Sequence, residues 1–144
     1  MEKIRKYIRE ILFESVTPDL KLKGILDSDE AYTILDNYAG GTWTEGGCAI
    51  LAFVLSKIYN VPVWVLYNTR KEIAEHFVVQ VGENKYMDYD GIHDNMLKDF
   101  KENELIYDPL LLKPYSKETP VGDIIISSQA SNELYNLIVN NGRN

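Results

Sequence analysis

The feature that most constrains the fold is the apolar run that begins at Cys48, directly after Gly46 and Gly47. Apolar residues recur along this run at the three- and four-residue spacing of one helix face. They are Ile50, Leu51, Val54, Leu55 and Ile58. The spacing predicts a buried helix from Cys48 to about Asn60, against which the rest of the chain must pack.

Cys48 is the only cysteine of the chain, and a helix start gives it two alternative roles. The unpaired N–H groups and the positive dipole end of a helix start favour a thiolate over a thiol. The glycines before it let the chain turn sharply and leave room for a substrate backbone. A free cysteine beside alanine and isoleucine is also a common core residue. Cys48 alone therefore leaves both a nucleophile and a core residue open.

Composition favours one cytoplasmic domain spanning residues 1–144. A chain of 144 residues can bury a sizeable core, and 45% apolar with 26% charged residues is typical of a globular protein. The net charge of −7 argues against nucleic acid or a membrane surface as the main partner. One cysteine cannot form an internal disulfide, and with two histidines it does not suggest structural zinc. No cofactor is expected.

The first part of the chain predicts three helices. Residues 1–16 form an amphipathic helix whose apolar face could pack on the domain or dock on a partner. A capping signal at residues 27–30 begins a second helix that reaches about Tyr38. Residues 40–47 then form a glycine-bounded loop that leads into the Cys48 helix.

The middle of the chain predicts three strands. Residues 61–67 are rich in β-branched and aromatic side chains. After a polar connection at 68–75, residues 76–81 and 85–89 form a β-hairpin around Gly82-Glu83-Asn84.

The register of this hairpin decides which side chains meet. With a three-residue loop, Val78 pairs with Asp88, so that Asp88 and Asp90 lie on the same face as His76. A two-residue loop would place both aspartates on the other face.

The remaining chain is less regular. His93 reads as a loop residue that flanks a short helix capped by Asp94. Prolines interrupt residues 104–120, and residues 121–126 could form an edge strand. A helix capped by Ser127 or Ser128 is expected to close the chain.

Cys48, His76 and Asp88 or Asp90 occur in the order and on the element types that thiol catalysis requires. A base must lie within reach of the sulfur, at about 4 Å or less, and a third group must orient the imidazole. Each also has a plainer interpretation. A histidine at a strand start is often structural, and the two aspartates could form a turn or a weak cation site.

The segments Gly46-Gly47-Cys48, His76-Phe77-Val78-Val79 and Tyr86-Met87-Asp88-Tyr89-Asp90-Gly91 together resemble the papain-like superfamily in its compact bacterial and phage forms, related to NlpC-type endopeptidases and transglutaminase-like enzymes. The resemblance covers about residues 43–97. It implies an α+β fold, in which the nucleophile helix packs on a small antiparallel sheet, within a catalytic core at 40–100. It also implies Cys48 as nucleophile, His76 as base and Asp88 as orienting acid, with Asp90 as substitute.

Papain-like proteases usually place a glutamine shortly before the cysteine to stabilise the oxyanion. The candidates here are the Cys48 N–H, Thr42 and Thr44, because Glu45 is a poor donor for a developing negative charge. Trp43, Gly46 and Gly47 are the predicted substrate-binding residues.

The sequence thus predicts a cysteine-dependent hydrolase or acyl transferase acting on an amide, isopeptide or thioester bond of a peptide or protein substrate. The alternatives are a weakly active or inactive papain-like scaffold used as a binding or phage virion-associated module, and a structural domain with Cys48 in its core.

Overall fold

The computed structural model describes residues 20–142, and within them the chain is a mixed α+β structure with one five-stranded antiparallel sheet. The helices are α1 (Leu20–Leu26), α2 (Asp29–Tyr38), α3 (Cys48–Tyr59), α4 (Met96–Glu104) and α5 (Ser128–Gly142). The strands are β1 (Val63–Asn68), β2 (Ile73–Gly82), β3 (Lys85–Asp88), β4 (Gly91–His93) and β5 (Leu110–Pro114), in the spatial order β4-β3-β2-β1-β5. The predicted α+β class with a small antiparallel sheet is confirmed.

Local capping explains where the main helices begin and end. The Ser28 hydroxyl accepts a hydrogen bond from the N–H of Ala31 and so caps α2. Ser127 caps α5 in the same way. Helix α3 ends at Asn60, whose left-handed conformation stops the helix. Helix α1 was not predicted, and the predicted helix at residues 1–16 lies outside the described residues.

The β2-β3 hairpin has the predicted register but a different turn. Val79 pairs with Met87 and Gln80 with Tyr86, whereas Gly82 rather than Val81 pairs with Lys85. The loop therefore contains two residues, and an irregularity between Gln80 and Gly82 inserts one residue on β2. This bulge restores the register that a three-residue loop would have given.

The two faces of the sheet carry separate apolar clusters. Helices α3 and α5 belong to the larger cluster, which includes Val65, Phe77 and Val79 of the sheet. The smaller cluster includes Leu66 and Val78 together with residues of α4. Alternate residues of each central strand thus point to opposite sides, and both sides are covered.

Three expectations for the second half of the chain are wrong. The edge strands are β4 and β5, and residues 121–126 contain no strand. Pairing with β1 orders β5 despite its terminal Pro114, since an edge strand tolerates a missing N–H. The cap of α4 is Asn95 rather than Asp94, because the Asn95 side chain accepts from the N–H of Lys98. Strand β2 also begins at Ile73, inside the predicted polar connection.

None of the helices in residues 20–142 is long and apolar enough to cross a bilayer.

Candidate active site

Cys48 is the first residue of α3, as the sequence predicts. Gly47 precedes the helix and gives it no side-chain cap, so that the first turn keeps N–H groups available. Cys48 is only 3% exposed, a burial that a core cysteine would also show. It borders a small internal void together with Trp43, Phe77 and Met87.

His76 and Asp88 form a buried pair. The Nε2 atom of His76 lies 2.9 Å from Oδ2 of Asp88, and the residues are 2% and 7% exposed. The hairpin register brings them together, because Asp88 follows the Val79–Met87 pair and so takes the face of Val78 and His76. The ring of Phe100 on α4 stacks on the imidazole, with centroids 4.9 Å apart. Asp88 therefore restrains the edge of the imidazole at Nε2, and Phe100 restrains one face of the ring.

Cys48 is the remaining partner of the His76 ring. Burial lowers the pKa of His76, but hydrogen bonds to Asp88 and Cys48 and the charges of both raise it to about 9. Because Nε2 is bonded to Asp88, Nδ1 is the ring nitrogen left for the sulfur. Nδ1 is buried and makes no well-aligned hydrogen bond within residues 20–142. The thiol and imidazole thus interact loosely, as catalytic pairs often do without substrate.

His76 and Cys48 approach each other from opposite sides of the sheet. His76 pairs with Leu66 on β1 and shares its face, which α4 covers. Cys48 begins the helix on the opposite face. They meet at the end of β3, where Asp88 borders the same void as the sulfur.

Sequence reasoning missed the role of His93, which lies at the end of β4 rather than in a loop. Its Nε2 atom is 2.9 Å from Oδ1 of Asp88, and its Nδ1 atom is 2.8 Å from Oδ2 of Asp99. Hydrogen bonds to Asp88, opposed by burial and aided by Asp99, raise the pKa of His93 to about 9. Burial raises the pKa of Asp88, but hydrogen bonds to His76 and His93 outweigh it and hold that pKa well below its usual range.

Asp90 takes a different position from Asp88. Its backbone N–H donates to Oδ1 of Asp88 at 2.9 Å, while its own side chain is exposed. Asp90 therefore supports the Asp88 carboxylate through its backbone. Of the two aspartates considered from the sequence, the structure brings Asp88 against His76. Within residues 20–142 no cluster of side chains fits a metal ion, which leaves the cation-site interpretation without a site.

The predicted oxyanion threonines lie on the loop before α3. The Thr42 hydroxyl accepts from the backbone N–H groups of Thr44 and Glu45 and lies 3.0 Å from the Thr44 hydroxyl. These bonds hold the loop in a tight turn. Both threonines line a cleft that lies over His76, and because Thr42 donates its proton to Thr44, the Thr44 hydroxyl is the one that can donate into this cleft.

The glycines before Cys48 have a packing role that the sequence did not predict. A Cβ on Gly47 would lie 2.4 Å from Cδ2 of Leu35 and 2.9 Å from the carbonyl oxygen of Thr42. Gly46 has a φ of +88°, which favours glycine. Neither glycine borders the cleft, so the expected room for a substrate backbone is filled by the protein itself. Trp43 does border the cleft, and its indole N–H donates to the Leu26 carbonyl.

A cleft of about 520 Å³ lies over the His76–Asp88 pair. Its described wall carries carboxylates, hydroxyls and aromatic rings but no lysine or arginine. The polar members include Thr42, Thr44, His76, Asp88, Asp90 and Glu104. Cys48 is not part of this wall, whereas Trp43 and Asp88 border both the cleft and the void beside the sulfur.

No protein-family model matches the chain, and no curated protein sequence or solved structure shows significant similarity to it.

Proposed function

We propose that this protein is a cysteine-dependent hydrolase or acyl transferase of papain-like type, acting on an amide, isopeptide or thioester bond. One observation carries the proposal. The buried His76 is held by Asp88 through Nε2, and Nδ1 is left beside a cysteine at an uncapped helix start. A structural histidine would be expected to satisfy both ring nitrogens. A ring nitrogen whose remaining neighbour is a loosely bonded thiol suits proton transfer instead.

In the proposed reaction the Cys48 thiolate attacks the carbonyl carbon of the substrate. The His76 imidazolium gives its Nδ1 proton to the leaving nitrogen or sulfur as the bond to carbon breaks, which leaves an acyl-enzyme thioester. Water or an amine then attacks that thioester, His76 accepts the proton from the nucleophile, and the carbon–sulfur bond breaks to release the acyl product and the Cys48 thiolate. Asp88 keeps the Nε2–H in place and stabilises the charged ring throughout.

The backbone N–H of Cys48 is the first donor for the developing oxyanion, because no side chain caps α3. The second donor is a threonine hydroxyl from the loop. Thr42 accepts two backbone N–H groups, so its own proton is the one that fills the 3.0 Å contact with the Thr44 hydroxyl, and the Thr44 proton is left to point into the cleft.

Access to the sulfur requires a local opening. Trp43 borders both the cleft and the void beside Cys48, so that displacement of its indole joins the two spaces. Its hydrogen bond to the Leu26 carbonyl, at 2.8 Å, closes this route in the resting protein. A peptide lying in the cleft would displace the indole as it binds.

The test is covalent capture of the acyl-enzyme. The protein is incubated with libraries of peptide amides and peptide thioesters, and adducts are mapped by mass spectrometry. The proposal expects an acyl group on Cys48, no adduct in Cys48→Ser, and a large loss of adduct in His76→Gln. Glu83→Gln, an exposed change in the β2-β3 turn outside the cleft lining, serves as the matched control. Absence of any Cys48 adduct, with the cleft still able to bind peptide, would refute the proposal.

The burial of Cys48 favours a second candidate, a papain-like scaffold that binds a peptide or protein in the cleft without turnover. Its 3% exposure and its absence from the cleft wall are what a non-catalytic core cysteine would show. Equal peptide affinity in the unsubstituted protein and in Cys48→Ser, with no acyl adduct in either, would favour this candidate.

A further inference from the structure

Four side chains form one continuous chain of hydrogen bonds from the sheet to α4. His76 bonds to Asp88, Asp88 to His93, and His93 to Asp99, each over 2.8 to 2.9 Å. The last member, Asp99, reaches solvent, since its side chain is 40% exposed, whereas that of His93 is 10% exposed. The candidate active site therefore extends beyond the three residues considered so far.

The bonding pattern defines the charge of His93. An ionised carboxylate only accepts hydrogen bonds, and each ring nitrogen of His93 contacts such a carboxylate. Both nitrogens must then carry hydrogen, which makes His93 an imidazolium. The ring places a positive charge against Asp88 on the side away from His76.

The bonds to Asp88 also fix its orientation. Oδ2 faces His76, while Oδ1 accepts from His93 and from the backbone N–H of Asp90. Neither oxygen can leave its partner without breaking a bond in a site that is 7% exposed. A carboxylate held on both sides keeps the His76 ring in one orientation and one tautomer.

We infer that His93 and Asp99 form a positioning pair that locks Asp88 against His76 and supplies a fixed positive charge to the active site. The inference rests on the proposed function, because it assigns His93 a part in the same reaction. Like the orienting partners of metal-bound histidines, the pair acts through another residue and touches no reacting atom. The positive charge favours the thiolate of Cys48 and opposes excess negative charge at Asp88.

Other ionisable groups surround this network. Cys48 and Asp88 face His76, Asp88 and Asp99 face His93, and Asp90 and Glu104 border the cleft from β3-β4 and α4. The cleft-lining tyrosines, Tyr32 and Tyr89, complete the set. Hydrogen bonding to Asp27 and burial raise the pKa of Tyr89 to about 12, so that it stays neutral in the range of the test.

The test compares His93→Gln, Asp99→Asn and the control Asp94→Asn. Glutamine can still donate one hydrogen bond to Asp88 but carries no charge. Asp94 is exposed and lies next to His93 outside the network, so its substitution is the matched control for the loss of a carboxylate in Asp99→Asn. The rate of Cys48 alkylation by iodoacetamide is measured against pH and normalised to its plateau, which separates ionisation from access.

His93→Gln is expected to move the acid limb of this profile upward by several tenths of a pH unit to about one unit, since a cation near the thiolate is lost. Asp94→Asn should leave it unchanged. A merely structural histidine would lower stability or the plateau rate without moving the limb, and an unmoved limb in His93→Gln would overturn the inference. If His93→Gln does not fold, Asp99→Asn serves, because His93 then loses a carboxylate partner and titrates at a lower pH.

Ring titration by NMR keeps this inference separable from the proposed function. His93 should titrate near pH 9 in the unsubstituted protein, clearly lower in Asp99→Asn, and His93→Gln should raise the pKa of His76. If Cys48 never reacts, the proposed function fails, while these titrations still decide the network. A His93 that titrates near the ordinary 6.5, or a His76 that ignores His93→Gln, would overturn the inference even in an active enzyme.

Discussion

Replacing Asp88 by asparagine removes the acceptor that the buried His76 and the partly buried His93 share. An amide offers one acceptor oxygen and one donor nitrogen, so that one imidazole N–H keeps a neutral bond while the other meets a donor. A hydrogen bond to a charged group contributes roughly 1.5 to 3 kcal/mol. Losing one such bond and weakening the other should lower the free energy of unfolding by about 2 to 4 kcal/mol.

The pH of the measurement matters. His76 and His93 have pKa values raised from 6.5 to about 9, so their contribution to stability is fully present below pH 6.5 and is lost as the pH rises through about 9. Asp88 has a lowered pKa, so its contribution is present above 3.8 and is lost on acidification. At about pH 6 both contributions are in place.

Urea unfolding of Asp88→Asn and of the matched control Asp90→Asn at about pH 6 and about pH 9.5 tests this account. Asp90→Asn should lower the free energy of unfolding by less than about 0.5 kcal/mol, because the Asp90 side chain is exposed. The loss of unfolding free energy in Asp88→Asn, relative to the unsubstituted protein, should be large at the lower pH. It should be smaller at the higher pH, because the unsubstituted protein has then lost the histidine protons itself. Equal stability of the two variants at about pH 6, or a deficit that does not depend on pH, would refute the reasoning.

Three further predictions concern packing, each measured by urea unfolding. Gly47→Ala should lower the free energy of unfolding by about 1 to 3 kcal/mol, because its Cβ would lie 2.4 Å from Leu35. The control Gly24→Ala, in α1, meets nothing within 4 Å and should raise that free energy by about 0.5 to 1 kcal/mol. Similar effects of the two substitutions would show that the loop before α3 moves to accommodate the added methyl group. Asn68→Ala should cost about 2 to 3 kcal/mol, since the buried amide serves two backbone N–H groups and two carboxylates, and a loss near zero would contradict this. Cys48→Ala should cost about 1 to 2 kcal/mol because the residue is 3% exposed, and a neutral result would indicate a looser site.

The elements that the sequence predicts correctly have strong local signals. Ser28 marks the start of α2, and the apolar periodicity after Cys48 defines α3. The β2-β3 pairing follows from strands joined by a short turn, although the bulge near Gly82 does not. Of the two registers considered from the sequence, the one with His76 and Asp88 on the same face occurs, and the bulge rather than the loop length produces it.

The elements that were missed depend on distant partners. Strand β5 is ordered by pairing Leu112 with Leu66 on β1, and no neighbouring residue signals that contact. The burial of Cys48 likewise depends on Trp43 folding back over it. Such contacts arise from tertiary packing, which periodicity and capping do not encode.

The His93 network had a signal that could have been found. A two-residue turn at Tyr89-Asp90, followed by Gly91 with a φ of +110°, pairs Tyr86 with His93. That register puts His93 diagonal to Asp88 on the same face. Asp99 then follows on the next helix. The second hairpin was overlooked because β4 is only three residues long.

The most direct test of the central claim is the ultraviolet absorbance of the Cys48 thiolate, which needs no access to the sulfur. The difference spectrum between the protein and Cys48→Ala is recorded against pH, below the range in which tyrosines ionise. The account predicts a thiolate signal in the unsubstituted protein that is lost in His76→Gln at the same pH. A thiolate signal that His76→Gln leaves unchanged would contradict the claim that His76 activates Cys48.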